Sequence, residues 1–443
     1  MAYRERLLDR QSSTGRPVRV GLVGAGQMGR GFVAQVRRIA GMEVVAVADL
    51  DVQRATGALK SAGVENVATG DDYDRLSGVV DDGGTVAVND PTLLTALPVD
   101  MVIDATGVPE IGAQIALNSI LAGKHVGLLN VETDITVGWL LSRLAARAGV
   151  VYTLCRGDEP AEALKLVEFA RDLAFDVVCA GKGKNNPLRP HDTPTMLTDE
   201  ANSKRMNPKM LASFVDGSKA MIEMAALANA ADLGVAKRGL SGYETTVPQL
   251  HEVFKPAADG GILDRGGVVD FATGPVAPGV FVVVHSDDAT VVEEMDYLKM
   301  GSGPYFSFYR PYHLASIEAP LSIPPAVLDG ATDIAPVAWR AEVAAGTKRA
   351  LKAGEFVDGI GGECVYGMIE SAEVAKDERL VPLGLLAGAR LTRDVDVDHL
   401  LTYDDVEIDT TTTIAHLRGL QDRLLEGQNV VVGGLGGAGV VAG

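Results

Sequence analysis

From residue 18 onward, short apolar runs alternate with longer stretches whose apolar positions recur every three or four residues. The runs lie at 18–23, 44–48, 101–105, 125–129 and 150–154. Helical periodicity fills 30–40, 111–122 and 138–148, and Gly123 and Gly149 close the last two. Continuous Val/Ile/Leu strands separated by helices predict a parallel sheet covered on both faces. A helix over 159–173 and a strand over 175–180 continue the rhythm and end a first unit at 16–183. The character then changes. Residues 182–208 read as loop, and 208–233 as one long helix with Met210, Leu211, Phe214, Val215, Met221 and Ile222 on its apolar stripe. Strand-like runs follow at 268–271, 280–284 and 305–309, which predicts a second, α+β unit at 184–330. Prolines in 319–325 mark a linker, and 337–369 mixes short strands with a Lys/Arg-bearing helical segment. A small third unit at 331–425 and a glycine-ending flexible tail at 426–443 complete the order. The apolar stripe of the long helix exceeds what one small sheet covers, which points to a homodimer through 184–330.

Composition narrows the class. The 443 residues are 47% hydrophobic and 22% charged, enough for a sizeable core. Lys and Arg number 40 against 59 Asp and Glu, a net charge of −19. That balance repels nucleic acid and anionic membranes, while leaving room for a local pocket for a small anionic substrate. Cys155, Cys179 and Cys364 form no paired motif, which argues for a reducing cytoplasm and against structural zinc. No signal-like or membrane-spanning apolar stretch is visible.

The strongest motif is 20–29, Val-Gly-Leu-Val-Gly-Ala-Gly-Gln-Met-Gly. Gly24, Gly26 and Gly29 form G-x-G-x-x-G, and with Gln27 and Met28 they join an apolar strand to an amphipathic helix. Such a turn lets backbone approach a pyrophosphate, which the helix N-terminus then attracts. Asp49 ends the next strand where a ribose-binding acid is expected. Together these define a dinucleotide-binding Rossmann unit. Asp49 favours NAD and Arg54 favours NADP, so both stay open. Thr106, Gly107 and Asn130, at later strand ends, are candidates for the nicotinamide end. A second match, at 434–439, has no room for a following helix and belongs to the tail.

Other charged groups read two ways each. Asp158 and Glu159 suit a divalent cation such as Mg2+ or Mn2+, or Asp158 caps the next helix. Lys182 and Lys184 leave a strand in a glycine-softened loop, either gathering an anion and moving protons or merely solvated. Asp216, Lys219 and Glu223 share one stripe of the long helix, as catalytic groups or as a surface salt bridge. Arg310 and His313 belong to a cluster suited to anchoring an anionic substrate or to packing. The seven histidines show no metal-ligand spacing, and no G-x-S-x-G elbow occurs. Hydride transfer is the chemistry left.

The sequence at 102–109, 123–126, 181–184 and 309–314 resembles homoserine-dehydrogenase-like oxidoreductases with a C-terminal SAF domain. Within them it is similar to the deoxyxylulose-phosphate-reductoisomerase-like family, DRL, over about 16–425. The resemblance implies a Rossmann domain, a central catalytic and dimerisation domain and a SAF-like (β-clip) domain. It also implies NADPH-dependent conversion of 1-deoxy-D-xylulose 5-phosphate to 2-C-methyl-D-erythritol 4-phosphate, an isoprenoid precursor. In that reading Lys182, Lys184 and Arg205 hold phosphate or substrate oxygens, and Asp158 and Glu159 resemble an acidic cation site. One position departs: true homoserine dehydrogenases and reductoisomerases carry Asn-Lys where this chain has Asn130-Val131. A homoserine-type or polyol dehydrogenase therefore stands beside the reductoisomerase reading. So does a non-catalytic protein that senses a nucleotide and binds a sugar.

Overall fold

The computed structural model describes residues 2–435. Seven strands form the first sheet: β1 (Val18–Val23), β2 (Met42–Ala48), β3 (Val67–Thr69), β4 (Thr85–Val88), β5 (Met101–Asp104), β6 (His125–Leu128) and β7 (Tyr152–Leu154). All are parallel, in the order β3-β4-β2-β1-β5-β6-β7. The predicted Rossmann-type α/β architecture is the one observed. β3, three residues with none buried, and β4, which opens on Thr85, are the two strands that the apolar pattern does not mark. The order reverses between β1 and β5, which opens a crevice beyond their carboxyl ends.

The second sheet contains β8 (Asp176–Gly183), β9 (Gly234–Val235), β10 (Tyr243–Glu244), β11 (Val268–Thr273), β12 (Val280–His285) and β13 (Tyr305–Arg310). Its order is β10-β11-β8-β12-β13, with β9 also on β11. β8 is thus the middle strand of this sheet, although the boundary at 183 assigns it to the first unit. Its helix–strand rhythm continues the first unit, but its register is with β11 and β12. Helices Glu159–Asp172 and Ser218–Ala231 pack against this sheet and against each other.

The long helix expected over 208–233 is two helices, Pro208–Val215 and Ser218–Ala231. Gly217, at φ +93°, turns the chain between them, so Asp216 leaves the stripe shared by Lys219 and Glu223. The proline-rich segment is no linker either: Ala319, Ile323 and Ala326 are buried in one core with Leu7, Val18 and Phe32.

The remaining strands are short: β14 (Ala341–Thr347) pairs with β15 (Val365–Ser371), and β16 (Arg390–Leu391) with β17 (Val406–Glu407). The helix expected within 337–369 is replaced by this hairpin, and a short helix, Ala372–Asp377, follows it. A closing helix, Thr413–Leu435, runs into the stretch expected as a tail. Residues 436–443, with the end of the second glycine motif, lie outside the described residues. No helix among the described residues is long and apolar enough to cross a membrane.

Candidate active site

The glycine turn is built by close backbone approach. Gly24 has φ +96°, and a Cβ there would stand 2.8 Å from the Ala105 carbonyl carbon, so the β1 turn rests directly on the β5 turn. A Cβ on Gly29 would overlap the Gly24 carbonyl oxygen, which explains the third glycine. Gly26 differs, since a Cβ there would meet nothing within 4 Å. It opens the helix Gln27–Val36 at the crevice, with Gln27 and Met28 exposed beside it. This is the open cradle that a pyrophosphate requires.

Asp49 braces the same turn, accepting from the N–H of Ala25 at 2.8 Å and of Asp51 at 3.0 Å. Arg54 stands 3.8 Å from Asp49 with its side chain 59% exposed. Thr106 and Gly107 follow β5 on the crevice wall, and Gly107 has φ +65°. Asn130 does not reach the crevice. It is 0% exposed, and its amide bonds Asp104 at 2.8 Å and the Val108 carbonyl at 3.0 Å, making it a strut beneath the turn.

Beyond the β6 and β7 ends, distant segments bring their charges together in a dry cluster. Lys182, on β8 and 7% exposed, donates to Glu159 at 2.5 Å and to Glu223. Lys219, one turn before Glu223, lies 3.3 Å from Glu132 and 3.8 Å from Glu223. His313 places Nε2 3.4 Å from Glu159, and its Nδ1 is 3.1 Å from the Gly157 carbonyl oxygen.

Burial pushes the Asp158 carboxyl well above its usual range; Lys219 opposes this, while Glu159 and Glu223 add to it. Glu159 is held below the usual carboxylate range, because Lys182 and His313 outweigh its burial. Burial and Glu159 raise Glu223. Both lysines are held above their ordinary value, as the facing carboxylates outweigh desolvation. The pattern is an Asp158 carboxyl that burial makes a weaker acid beside a Glu159 that Lys182 makes a stronger one, flanked by two ammonium groups.

Not every expected residue joins. Lys184 points its ammonium at the Asn186 and Phe214 carbonyls, 2.7 and 2.9 Å away, and burial with Lys182 nearby brings it down to about 8. Asp216 faces Lys348 at 2.9 Å instead of the cluster. Arg310 is no free anion anchor: it donates twice to Glu318, at 2.7 and 2.8 Å, and to Glu162. Arg205 sits exposed at the left-handed end of the helix Thr198–Lys204, and no ion pair ties it to the cluster among the described residues.

Asp158 stands at the N-cap of the helix Glu159–Asp172, but its side chain makes no capping bond. Ligand atoms of Asp158, Glu159 and His313 do lie within 4.8 Å of one another. Yet Lys182 already places its ammonium on Glu159. As arranged, these residues fit a lysine-held acid pair and not a resident Mg2+ or Mn2+.

Two contributors were not singled out from the sequence. Glu132, two residues after Asn130, places a carboxylate where the expected lysine is missing, and Lys219 brings an ammonium to it from another helix. Glu162, one turn into its helix and 1% exposed, accepts from the Gly157 N–H at 2.8 Å and from Arg156 at 2.7 Å. It locks the turn that presents Asp158 and Glu159. The cluster also touches the cofactor half. Gly157 packs on Leu314 and Ala315, and Ser316 lies against Gly31 of the glycine-turn helix.

Residues 157–319 match a family model described as "Oxidoreductase DRL, catalytic domain". No curated protein matches the chain. Among solved structures, a probable dehydrogenase from Thermotoga maritima is similar at 13% identity, with a TM-score of 0.39 over 72% of this chain and 90% of that one. A myo-inositol dehydrogenase from Lactobacillus casei, solved with NAD(H) and myo-inositol, shares 16% identity, with a TM-score of 0.37 over 67% and 75%. An Agrobacterium radiobacter oxidoreductase, solved with NAD+, L-tartaric acid and magnesium, shares 11%, with a TM-score of 0.29 over 42% and 54%. These likenesses are too distant to carry an argument about reaction.

The glycine cradle and the family match define the class: the protein is an NAD(P)-dependent oxidoreductase. Within that class, residues 157–319 are similar to the DRL oxidoreductase catalytic domain.

Proposed function

We propose that the protein interconverts a carbonyl and an alcohol on a small polyhydroxylated substrate. The observation that carries this is Lys182, buried between Glu159 and Glu223 beside Asp158, whose carboxyl burial pushes above its usual range, next to the dinucleotide crevice. A nicotinamide dinucleotide, when bound, supplies or accepts the hydride. Backbone of Gly24, Gly26, Gln27, Met28 and Gly29 would hold its pyrophosphate, Asp49 and Arg54 its ribose side, and Thr106 and Gly107 its far end. The Lys182 ammonium meets negative charge developing on the substrate oxygen, in a dry site where that contact is strong. Asp158, made a weaker acid by burial, would give this oxygen its proton, and Glu159, drawn toward the ionised form by Lys182, would orient it.

The DRL match supports 1-deoxy-D-xylulose 5-phosphate as the specific substrate, hence a role in isoprenoid precursor synthesis. The engagement of Arg310 and Lys184 elsewhere favours the second reading, a polyol or homoserine-type dehydrogenase without a phosphate anchor. A homodimer through the central sheet and a SAF-like role for 331–425 belong to the same proposal.

The deciding measurement follows NADPH and NADH oxidation with deoxyxylulose 5-phosphate, with and without EDTA, beside NAD(P)+ reduction with myo-inositol and homoserine. Turnover with one substrate, insensitive to EDTA, is expected. Failure to bind either dinucleotide at millimolar concentration sinks the reading.

A further inference from the structure

The helix Ser218–Ala231 carries Lys219 and Glu223, yet no side chain of its own caps its start: Gly217 occupies the N-cap. Its first turn is held from outside. Asp216 accepts from the Ser218 N–H at 2.8 Å, and Lys348 stands 2.9 Å from its other oxygen, with both side chains 0% exposed. Lys348 also donates to the carbonyls of Asp192 and Gly362, at 2.8 and 2.9 Å. On the other side, the Gly367 N–H of β15 donates to Ser218 Oγ at 2.7 Å. A Cβ on Gly367 would stand only 3.1 Å from Ser218 Cα. Both contacts fall within three residues of Lys219.

A fully buried ion pair is weak evidence for stability, because desolvation offsets its attraction; fixing a register is the better-attested use. We propose that residues 341–371 act on the reaction as a clamp, with Lys348 and Ser218 as positioning residues. They set where the Lys219 ammonium stands among Glu132, Asp158 and Glu223. This rests on the functional reading above and deepens it, giving the third region a part in catalysis without contact with substrate.

The test uses the full chain with three changes: Ser218→Ala, its rescue Ser218→Thr, and the double variant Asp216→Leu/Lys348→Met. The double variant removes both charges together, so neither is stranded. Brief acetic anhydride labelling, read by peptide mass, reports each lysine without any substrate. In the parent, Lys182 and Lys219 label slowly. Ser218→Ala and the double variant should label Lys219 several-fold faster and leave Lys182, held by Glu159 and Glu223, unchanged, while Ser218→Thr returns Lys219 to the parent rate. Where the parent turns over, the pH limb set by Asp158 should move upward in both weakened variants. Asp158 is faced by Lys219, Glu159, Glu223 and His313, and of these the clamp moves Lys219 first. Parent-like Lys219 labelling in both weakened variants overturns the clamp, as does equal acceleration at Lys182. A parent without turnover on any substrate counts against the functional reading alone, and the labelling still decides the clamp.

Discussion

The glycine turn and the lysine–carboxylate cluster sit side by side but are made in opposite ways. The turn is contiguous backbone: three glycines within six residues, two of them required by close backbone contact and the third, Gly26, left open, braced by one side chain, Asp49. The cluster is side chains from far apart: Glu132 after β6, Asp158 and Glu159 after β7, Lys182 on β8, Lys219 and Glu223 on a later helix, and His313 after β13. The first tolerates water and binds by exposed N–H groups. The second works only while dry, because its charges hold one another in place.

Breaking the cluster should therefore cost most. Lys182→Met strands Glu159 and Glu223 in the interior, and removing one partner of a buried pair costs about 3–5 kcal/mol of stability. Turnover should fall by about 10²–10³-fold, as when one preorganised donor to a developing oxyanion is removed. Dinucleotide affinity, measured by quenching or by calorimetry, should stay near the parent value. Equal loss of cofactor binding would show that the two regions are one unit and not two.

Breaking the turn separates its own glycines. Gly29→Ala drives a methyl into the Gly24 carbonyl and should lower the melting temperature as well as dinucleotide affinity. Gly26→Val places its Cβ with no protein atom within 4 Å, so folding should be intact while NADH and NADPH affinity falls by about 100-fold or more. A stable Gly26→Val protein that binds dinucleotide normally would remove the turn from the site.

This contrast also explains what the sequence disclosed. The turn was legible because its glycines lie within six residues and at a fixed offset from Asp49, although the contact that demands Gly24 comes from Ala105. In the cluster the individual groups other than Glu132 stood out, but their grouping did not. Nothing in the spacing says that Lys182 meets Glu159 and Glu223, or that Asp216 turns away at Gly217 to face Lys348. Asn130 misled for a related reason. Its place at a strand end suggested cofactor contact, whereas its amide is wholly spent on Asp104, Val108 and Thr133. Likewise the prolines after Glu318 suggested a linker, and only packing against Phe32 and Leu7 makes that stretch core.

A smaller effect comes from the π-helix Asp134–Gly138, two residues beyond Glu132. Asp134 is buried there, accepts from the Tyr152 hydroxyl at 2.8 Å, and is pushed up by desolvation to about 7. Between its unfolded value near 4 and its folded value, the native state holds the proton more tightly. Stability from this group is thus full below about pH 4 and lost as pH rises through 7. Asp134→Asn keeps an acceptor for Tyr152 and should flatten the urea midpoint between pH 4.5 and 7.5. An unchanged slope would mean that Asp134 is ionised throughout.

The smallest effect should come from the edge of the turn, where the choice of dinucleotide is made. Both Asp49 oxygens already accept backbone N–H groups, from Ala25 and Asp51, so this carboxylate is first a brace and only then a ribose partner. An Asn in its place keeps one of the two acceptors, turns its amide toward the other N–H and removes the charge that repels a 2′-phosphate. Arg54 is mostly exposed and only 3.8 Å away, close enough to swing from Asp49 to such a phosphate. Asp49→Asn should raise NADPH affinity relative to NADH by about 3–10-fold, and Arg54→Ala should lower it by a similar factor. Titrating both dinucleotides into both variants reads the sign directly. If Arg54→Ala leaves the ratio untouched, the guanidinium is a solvated neighbour of Asp49 and the preference is set by the carboxylate alone.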